Sequence, residues 1–228
     1  MRIQWWVSYL NPPYNLVTRK LGVNDNRKTH WEQVYQNKGE DETSWFQPRP
    51  ETSLALIRAT GEPLDAPFID VGGGASRLVD HLLDEGWTEL SVLDIAPSAL
   101  ATTRARLGDR ASRVNWLEAD LLEARLPGPW RIWHDRAVFH FLTDENDRAR
   151  YLEQLRNNLE PGGHVIIATF APDGPEACSG LPVQRYAPGE LARALGDAFQ
   201  LQESVTEDHH TPAGKVQSFT YCRFRRRA

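Results

Sequence analysis

The run Phe68-Ile69-Asp70-Val71-Gly72-Gly73-Gly74-Ala75-Ser76-Arg77-Leu78 sets an apolar stretch, an acid and three glycines directly ahead of a helical pattern. Glycine lets the backbone turn sharply and lets a ligand approach main-chain N–H groups with no Cβ in the way. Such a loop builds a nucleotide pocket. A dinucleotide site spaces its glycines G-x-G-x-x-G and seats a pyrophosphate on the helix N-terminus. Here the third glycine of that spacing falls at Arg77, which argues against a dinucleotide. Asp70, two residues before the first glycine, suits a ligand carrying an ammonium and a sulfonium rather than phosphates. Asp94 follows 24 residues on, just before Ile95, where a strand-end carboxylate can accept both hydroxyls of a ribose. Asp120 then offers a side chain, and Leu121 a backbone N–H, to the edge of an adenine. Three acidic strand ends in this order imply a cofactor that contains adenosine.

Candidate reacting groups cluster in Trp133-His134-Asp135-Arg136-Ala137-Val138-Phe139-His140. In an open α/β sheet the substrate cleft lies outside the carboxyl ends of the strands, so the end of a fourth strand here borders that cleft. His134 and His140 are the candidate bases, with Asp135 beside them; Asp135 and Arg136 also read as an ion pair. Arg136, Phe139, Phe46 and Tyr186 are the candidate acceptor contacts. Trp31, Tyr35 and Trp45 read either as core or as an aromatic wall able to hold a sulfonium by cation–π attraction. No spacing of His, Cys and acids supports a metal site. Neither Cys178 nor Cys222 has an activating base visible in the sequence, so no covalent role is expected.

Those residues need strands to carry them, and the middle of the chain supplies the pattern. Short apolar runs at 67–72, 89–95, 113–120, 130–136 and 163–170 alternate with amphipathic helices at 76–85, 98–107 and 145–159, the signature of a parallel sheet with crossover helices. Asp144 is the expected N-cap of the third helix and Pro161-Gly162-Gly163 its stop. Upstream, Trp31, Val34 and Tyr35 share a helical face that Gly39 ends, and a further helix closes at Gly61. Downstream, a helix at 188–195 leads into two alternating runs joined by Thr211-Pro212-Ala213-Gly214, an expected antiparallel hairpin. The expected organisation is an N-terminal extension over 1–29, able to move, and one domain over 30–228.

The chain has 228 residues, 40% of them apolar and 25% charged, enough for a sizeable core. Its formal charge of −5 argues against a general attraction to nucleic acid or anionic lipid. No apolar run approaches the length of a spanning helix, and two cysteines make no disulfide framework, so a cytoplasmic location without membrane insertion is expected.

Through Asp70-Val71-Gly72-Gly73-Gly74, Asp94 and Asp120-Leu121 the chain resembles the class I S-adenosylmethionine-dependent methyltransferases over about residues 30–225. The resemblance implies a Rossmann-like, doubly wound, mostly parallel seven-stranded sheet completed by a C-terminal antiparallel hairpin. It also implies S-adenosylmethionine as cofactor and S-adenosylhomocysteine as product. The segments from His30 to Tyr35 and from Ser44 to Gln47 are similar to an aromatic N-terminal segment that covers the cofactor in a subset of these enzymes. Trp133 to Phe139 and Leu181 to Pro188 look like thiopurine methyltransferase-like enzymes, which methylate soft nucleophiles. A small thiol, selenium or similar acceptor is therefore expected. The alternatives are a protein lysine, suggested by a similar aromatic beginning in a lysine methyltransferase branch, and a module that binds the cofactor without turnover.

Overall fold

The computed structural model describes residues 25–228. The strands of Asp70, Asp94 and Asp135 are buried on both faces, as expected where helices cover each side of a sheet, while the edge strand before Asp120 is partly exposed. Five strands carry or flank these acids. They are β1 (Phe68–Val71), β2 (Leu90–Asp94), β3 (Val114–Glu118), β4 (Trp130–Arg136) and β5 (Leu159–Phe170). A short pair, β6 (Ala177–Cys178) and β7 (Leu181–Pro182), stands apart, and β8 (Phe199–His210) and β9 (Val216–Arg226) form the closing hairpin. Among the described residues six α-helices accompany them: α1 (Asp25–Asn37), α2 (Glu51–Arg58), α3 (Leu78–Asp84), α4 (Pro97–Leu107), α5 (Glu145–Asn158) and α6 (Pro188–Leu195).

The seven-stranded sheet has the order β3-β2-β1-β4-β5-β9-β8, parallel from β3 to β5 and antiparallel where β9 enters. Alternating residues supply two cores. Phe68, Val92, Ile132 and Ile166 face α2, α3 and α4, while Ile69, Leu93, Trp133 and Val165 face α5 and α6. The strand order reverses between β1 and β4, and crevices open beside the carboxyl ends at such a switch point.

The expected strands and helices are present, with shifts at their ends. Helix α5 stops at Asn158, and Pro161-Gly162-Gly163 lies inside β5 instead of separating helix from strand. A register irregularity between Trp130 and Ile132 absorbs this segment, where Gly162 takes a φ of 76°. Helix α3 starts two residues late because Ser76 Oγ accepts the N–H of Leu78 in a preceding turn. Helix α4 starts at Pro97, whose fixed φ suits a first helical position. At the N-terminus α1 begins at Asp25, so the boundary expected at residue 29 falls inside a helix. The earlier part of that expected extension lies outside the described residues.

Candidate active site

Beyond β1 the chain turns through Gly72 (φ 68°), and the N–H groups of Gly72 and Gly73 both donate to Leu93 O, at 2.7 and 3.1 Å. This ties the loop to β2 and brings Asp94 over it. A Cβ on Gly74 would lie 2.6 Å from Asp94 Oδ2 and 2.9 Å from Tyr35 Oη, so the close approach requires glycine there.

The loop floors a cavity of about 140 Å³. One end is lined by Asp94 and Ile95 from the tip of β2 and by Ala119, Asp120, Leu121 and Leu122 beyond β3. Asp94 is 5% exposed and accepts the N–H of Ala96 through Oδ1 at 2.8 Å. Burial pushes its carboxyl up to about 7; the Ala96 bond opposes this and the nearby Asp70 adds to it. Asp120 accepts the N–H of Leu122 through Oδ1 at 2.9 Å, while its buried Oδ2 has no hydrogen-bond partner among the described residues. The nearest cation to it is Arg27 at 3.5 Å, which also faces Asp147.

The other end is aromatic. Trp31 and Tyr35 reach it from α1 and Trp45 from the segment after it, with Val138, Phe141 and Leu142 following β4. Trp31 meets Phe141 at 5.0 Å and Trp45 at 6.0 Å between ring centroids, both edge to face. Burial, then the neighbouring Asp94, holds the Tyr35 phenol well above its usual range. Cys178 also lines this end, its thiol raised by burial, so it stays protonated and poorly nucleophilic.

A second compartment of about 40 Å³ shares Tyr35, Trp45, Gly72 and Arg136 with the first. Asp70, Gly73, Ser53, His134 and Phe46 line it. Asp70 Oδ1 lies 2.7 Å from His134 Nδ1, and His134 Nε2 lies 2.9 Å from Ser53 Oγ. Both ring nitrogens are thereby engaged, and the imidazole stacks on Phe68. Phe46 sits beneath the Arg77 guanidinium, 5.4 Å from ring centroid to carbon, and outside the larger cavity.

Four expected contacts stand away from the cavity. Asp135 is fully buried and accepts the N–H groups of Val138 and Phe139 and the Tyr151 hydroxyl, so its oxygens are committed to the backbone. Burial raises it to about 6 against those bonds, and it makes no ion pair with Arg136 among the described residues. His140 is also fully buried, between Phe141 and Phe170; burial and then the Arg136 charge push it down to about 3. It stays neutral and makes a weak base. Phe139 packs on both Tyr186 and Tyr151 as core.

Conversely, Arg27, Val138, Phe141, Leu142 and Cys178 line the cavity without having been expected there. The position of Val138, Phe141 and Leu142 just after a cleft-bordering strand was the available signal. Among the described residues no group of three His, Cys, Asp or Glu could hold a metal ion, and no helix is long and apolar enough to cross a membrane.

The residues fit an adenosine-bearing ligand: a glycine-floored cradle, a buried carboxylate at a strand tip and an orphaned buried oxygen on Asp120. Comparison with known proteins agrees. Residues 69–165 match the family described as methyltransferase domain. Mouse EEF1A lysine methyltransferase 2 is 24% identical over 196 residues, covering 78% of this chain and 73% of that protein. The bovine eEF1A lysine and N-terminal methyltransferase is 24% identical over 149 residues; the match covers 62% of this chain and only 21% of the relative's length. Among solved structures, the N-methyltransferase NodS from Bradyrhizobium japonicum, in complex with S-adenosylhomocysteine, superposes with a TM-score of 0.65. It is 18% identical and covers 86% of this chain and 97% of its own.

Proposed function

We infer that this enzyme, which carries a methyltransferase domain and uses S-adenosylmethionine, passes the methyl group to a small, soft nucleophile such as a thiol by in-line displacement. The observation that carries the choice of acceptor is the acceptor end of the cavity. Apart from Arg136 it is aromatic and apolar, and among the described residues no carboxylate or imidazole lines that end.

In this reading the Asp94 carboxylate accepts the ribose hydroxyls beside Ile95, and Asp120 Oδ2 with the Leu121 N–H meets the adenine edge. Asp70 and the Gly72-Gly73-Gly74 backbone hold the amino-acid tail, with His134 keeping Asp70 oriented from behind. Trp31, Tyr35 and Trp45 close over the sulfonium, whose positive charge favours an aromatic face. When bound, S-adenosylmethionine supplies a methyl on positively charged sulfur; the acceptor lone pair forms the new bond to carbon as the old carbon–sulfur pair returns to the cofactor. The chain's own work is alignment and exclusion of water, which can provide much of the rate.

Base strength decides between acceptors. None of the three candidate bases lines the acceptor end: His134 stands in the smaller compartment between Asp70 and Ser53, His140 is neutral and outside the cavity, and Asp135 is taken up by backbone N–H groups and the Tyr151 hydroxyl. A thiol, with an ordinary pKa near about 8.5, is partly ionised at neutral pH, whereas a lysine near about 10.4 must lose a proton first. A protein lysine is the second reading, favoured by the curated relatives whose names carry that activity and by a ring set that would also clasp an alkylammonium.

Turnover of methyl-labelled S-adenosylmethionine with 3-mercaptopropionate and related thiols, against an elongation-factor lysine substrate, tests the choice. Methylated thiol as the main product is expected, with a rate that follows the ionisation of the thiol. Label in the lysine alone would overturn the small-acceptor reading, and tight cofactor binding with neither product would leave a binding module.

A further inference from the structure

Arg136 lines both compartments, and three of its features are fixed by the fold. Nε donates to the Tyr221 hydroxyl at 2.8 Å, Nη1 donates to Trp45 O at 2.9 Å, and the guanidinium lies 4.6 Å over the Phe219 ring. Nη2 is buried and has no partner among the described residues. None of the ion pairs among those residues includes Arg136. The acid on this side, Glu207, is held by Gln47 at 2.8 Å and reaches Arg136 only through Tyr221. The cation is felt by its neighbours: beyond the cost of burial, it lowers His140 and His209. A half-buried guanidinium with an unused donor is costly to leave unpaired, and its planar fork matches a carboxylate.

We propose that Arg136 makes the acceptor compartment an anion site, so that the preferred acceptor is a small molecule bearing a carboxylate close to its nucleophilic atom. The proposal rests on the methyl-transfer reading and narrows it. The same charge repels a lysyl ammonium from the compartment in which that nitrogen would have to be methylated. Because Arg136 also borders the second compartment, the competing source of a carboxylate is the amino-acid tail of the cofactor itself.

The test is a charge series of near-isosteric thiols, titrated calorimetrically into the S-adenosylhomocysteine complex and into the free protein: 3-mercaptopropionate, 3-mercaptopropionamide and cysteamine. The anion is expected to bind about tenfold or more tightly than the neutral amide, since charge-assisted bonds to Arg are the stronger ones. The cation is expected to bind most weakly. Arg136→Gln should erase the preference and Arg136→Lys should keep part of it, with melting temperatures reporting on folding. No preference in the unaltered protein would overturn the proposal, and that arm needs no variant.

A second arm compares S-adenosylhomocysteine with 5′-methylthioadenosine, which lacks the carboxylate. Their affinity ratio should be the same in the unaltered protein and in Arg136→Gln. Collapse of that ratio with the thiol preference intact would assign Arg136 to the cofactor and overturn the proposal. Failure of S-adenosylhomocysteine to bind would instead sink the methyl-transfer reading, and the series on the free protein would still decide the anion site.

Discussion

Asp135 holds two backbone N–H groups and the Tyr151 hydroxyl in a fully buried place, and Tyr151 in turn receives the Trp133 indole N–H at 3.0 Å. Truncation strands several buried donors at once. Asp135→Ala is therefore expected to cost about 3 kcal/mol or more, from a penalty of roughly 1–3 kcal/mol for each group left unsatisfied. Thermal denaturation would show this as a fall in melting temperature of several degrees; an unchanged midpoint with lost turnover would restore Asp135 to the chemistry. Its role was not legible in the sequence because an acid at a strand end looks the same whether it faces solvent, ligand or its own backbone. The chain Asp70–His134–Ser53 was hidden for a related reason. Ser53 lies on α2, 81 residues before His134, and only the fold joins them. Asp94 was legible, since a strand tip one crossover beyond a glycine turn has few other places to put its side chain.

Helix α1 roofs the cavity on a few attachments. Lys28 meets Glu118 at 2.6 Å, Glu32 accepts the N–H of Ser98 at 2.9 Å, Arg27 faces Asp120, and Tyr35 rests over Gly74. Exposed ion pairs contribute about 0–1 kcal/mol each, so this roof opens at far less cost than the core helices. Amide exchange over 25–37 is expected to be faster than over α5 in the free protein and to slow about tenfold or more with saturating S-adenosylhomocysteine. Exchange that ligand leaves untouched would contradict the placement of Trp31 and Tyr35 against the cofactor. The Trp31, Val34, Tyr35 face was visible as helical spacing. The start of α1 was not, because Asn26 to Thr29 is polar and carries no apolar periodicity. Arg27 was lost with it.

At the scale of the molecule, buried strands read as continuous apolar runs, so the parallel half of the sheet was legible apart from the ends of β3 and the start of β5, where Pro161-Gly162-Gly163 reads as a break. The hairpin was legible through the alternating runs on either side of Thr211-Pro212-Ala213-Gly214. The seven-strand count came from the resemblance, and strand order was not readable from periodicity. The acceptor compartment stayed hidden because α1, the Trp45 segment, the turn after β4 and β6 each contribute to it, and no local pattern marks that convergence. We infer that this convergence, together with Asp94, forms the seat for S-adenosylmethionine. Its most direct test is calorimetric titration of S-adenosylhomocysteine into the protein and into Asp94→Asn at pH 8 and pH 6. With Asp94 raised to about 7 in the free protein, the carboxylate that accepts ribose hydroxyls is mostly present at pH 8 and mostly protonated at pH 6. Affinity should fall by about tenfold between the two for the unaltered protein. The variant should fold, bind about 30-fold or more weakly at pH 8, and lose the dependence on pH. Equal affinity for both proteins with no change between pH 8 and pH 6, or no binding at all, would contradict the site.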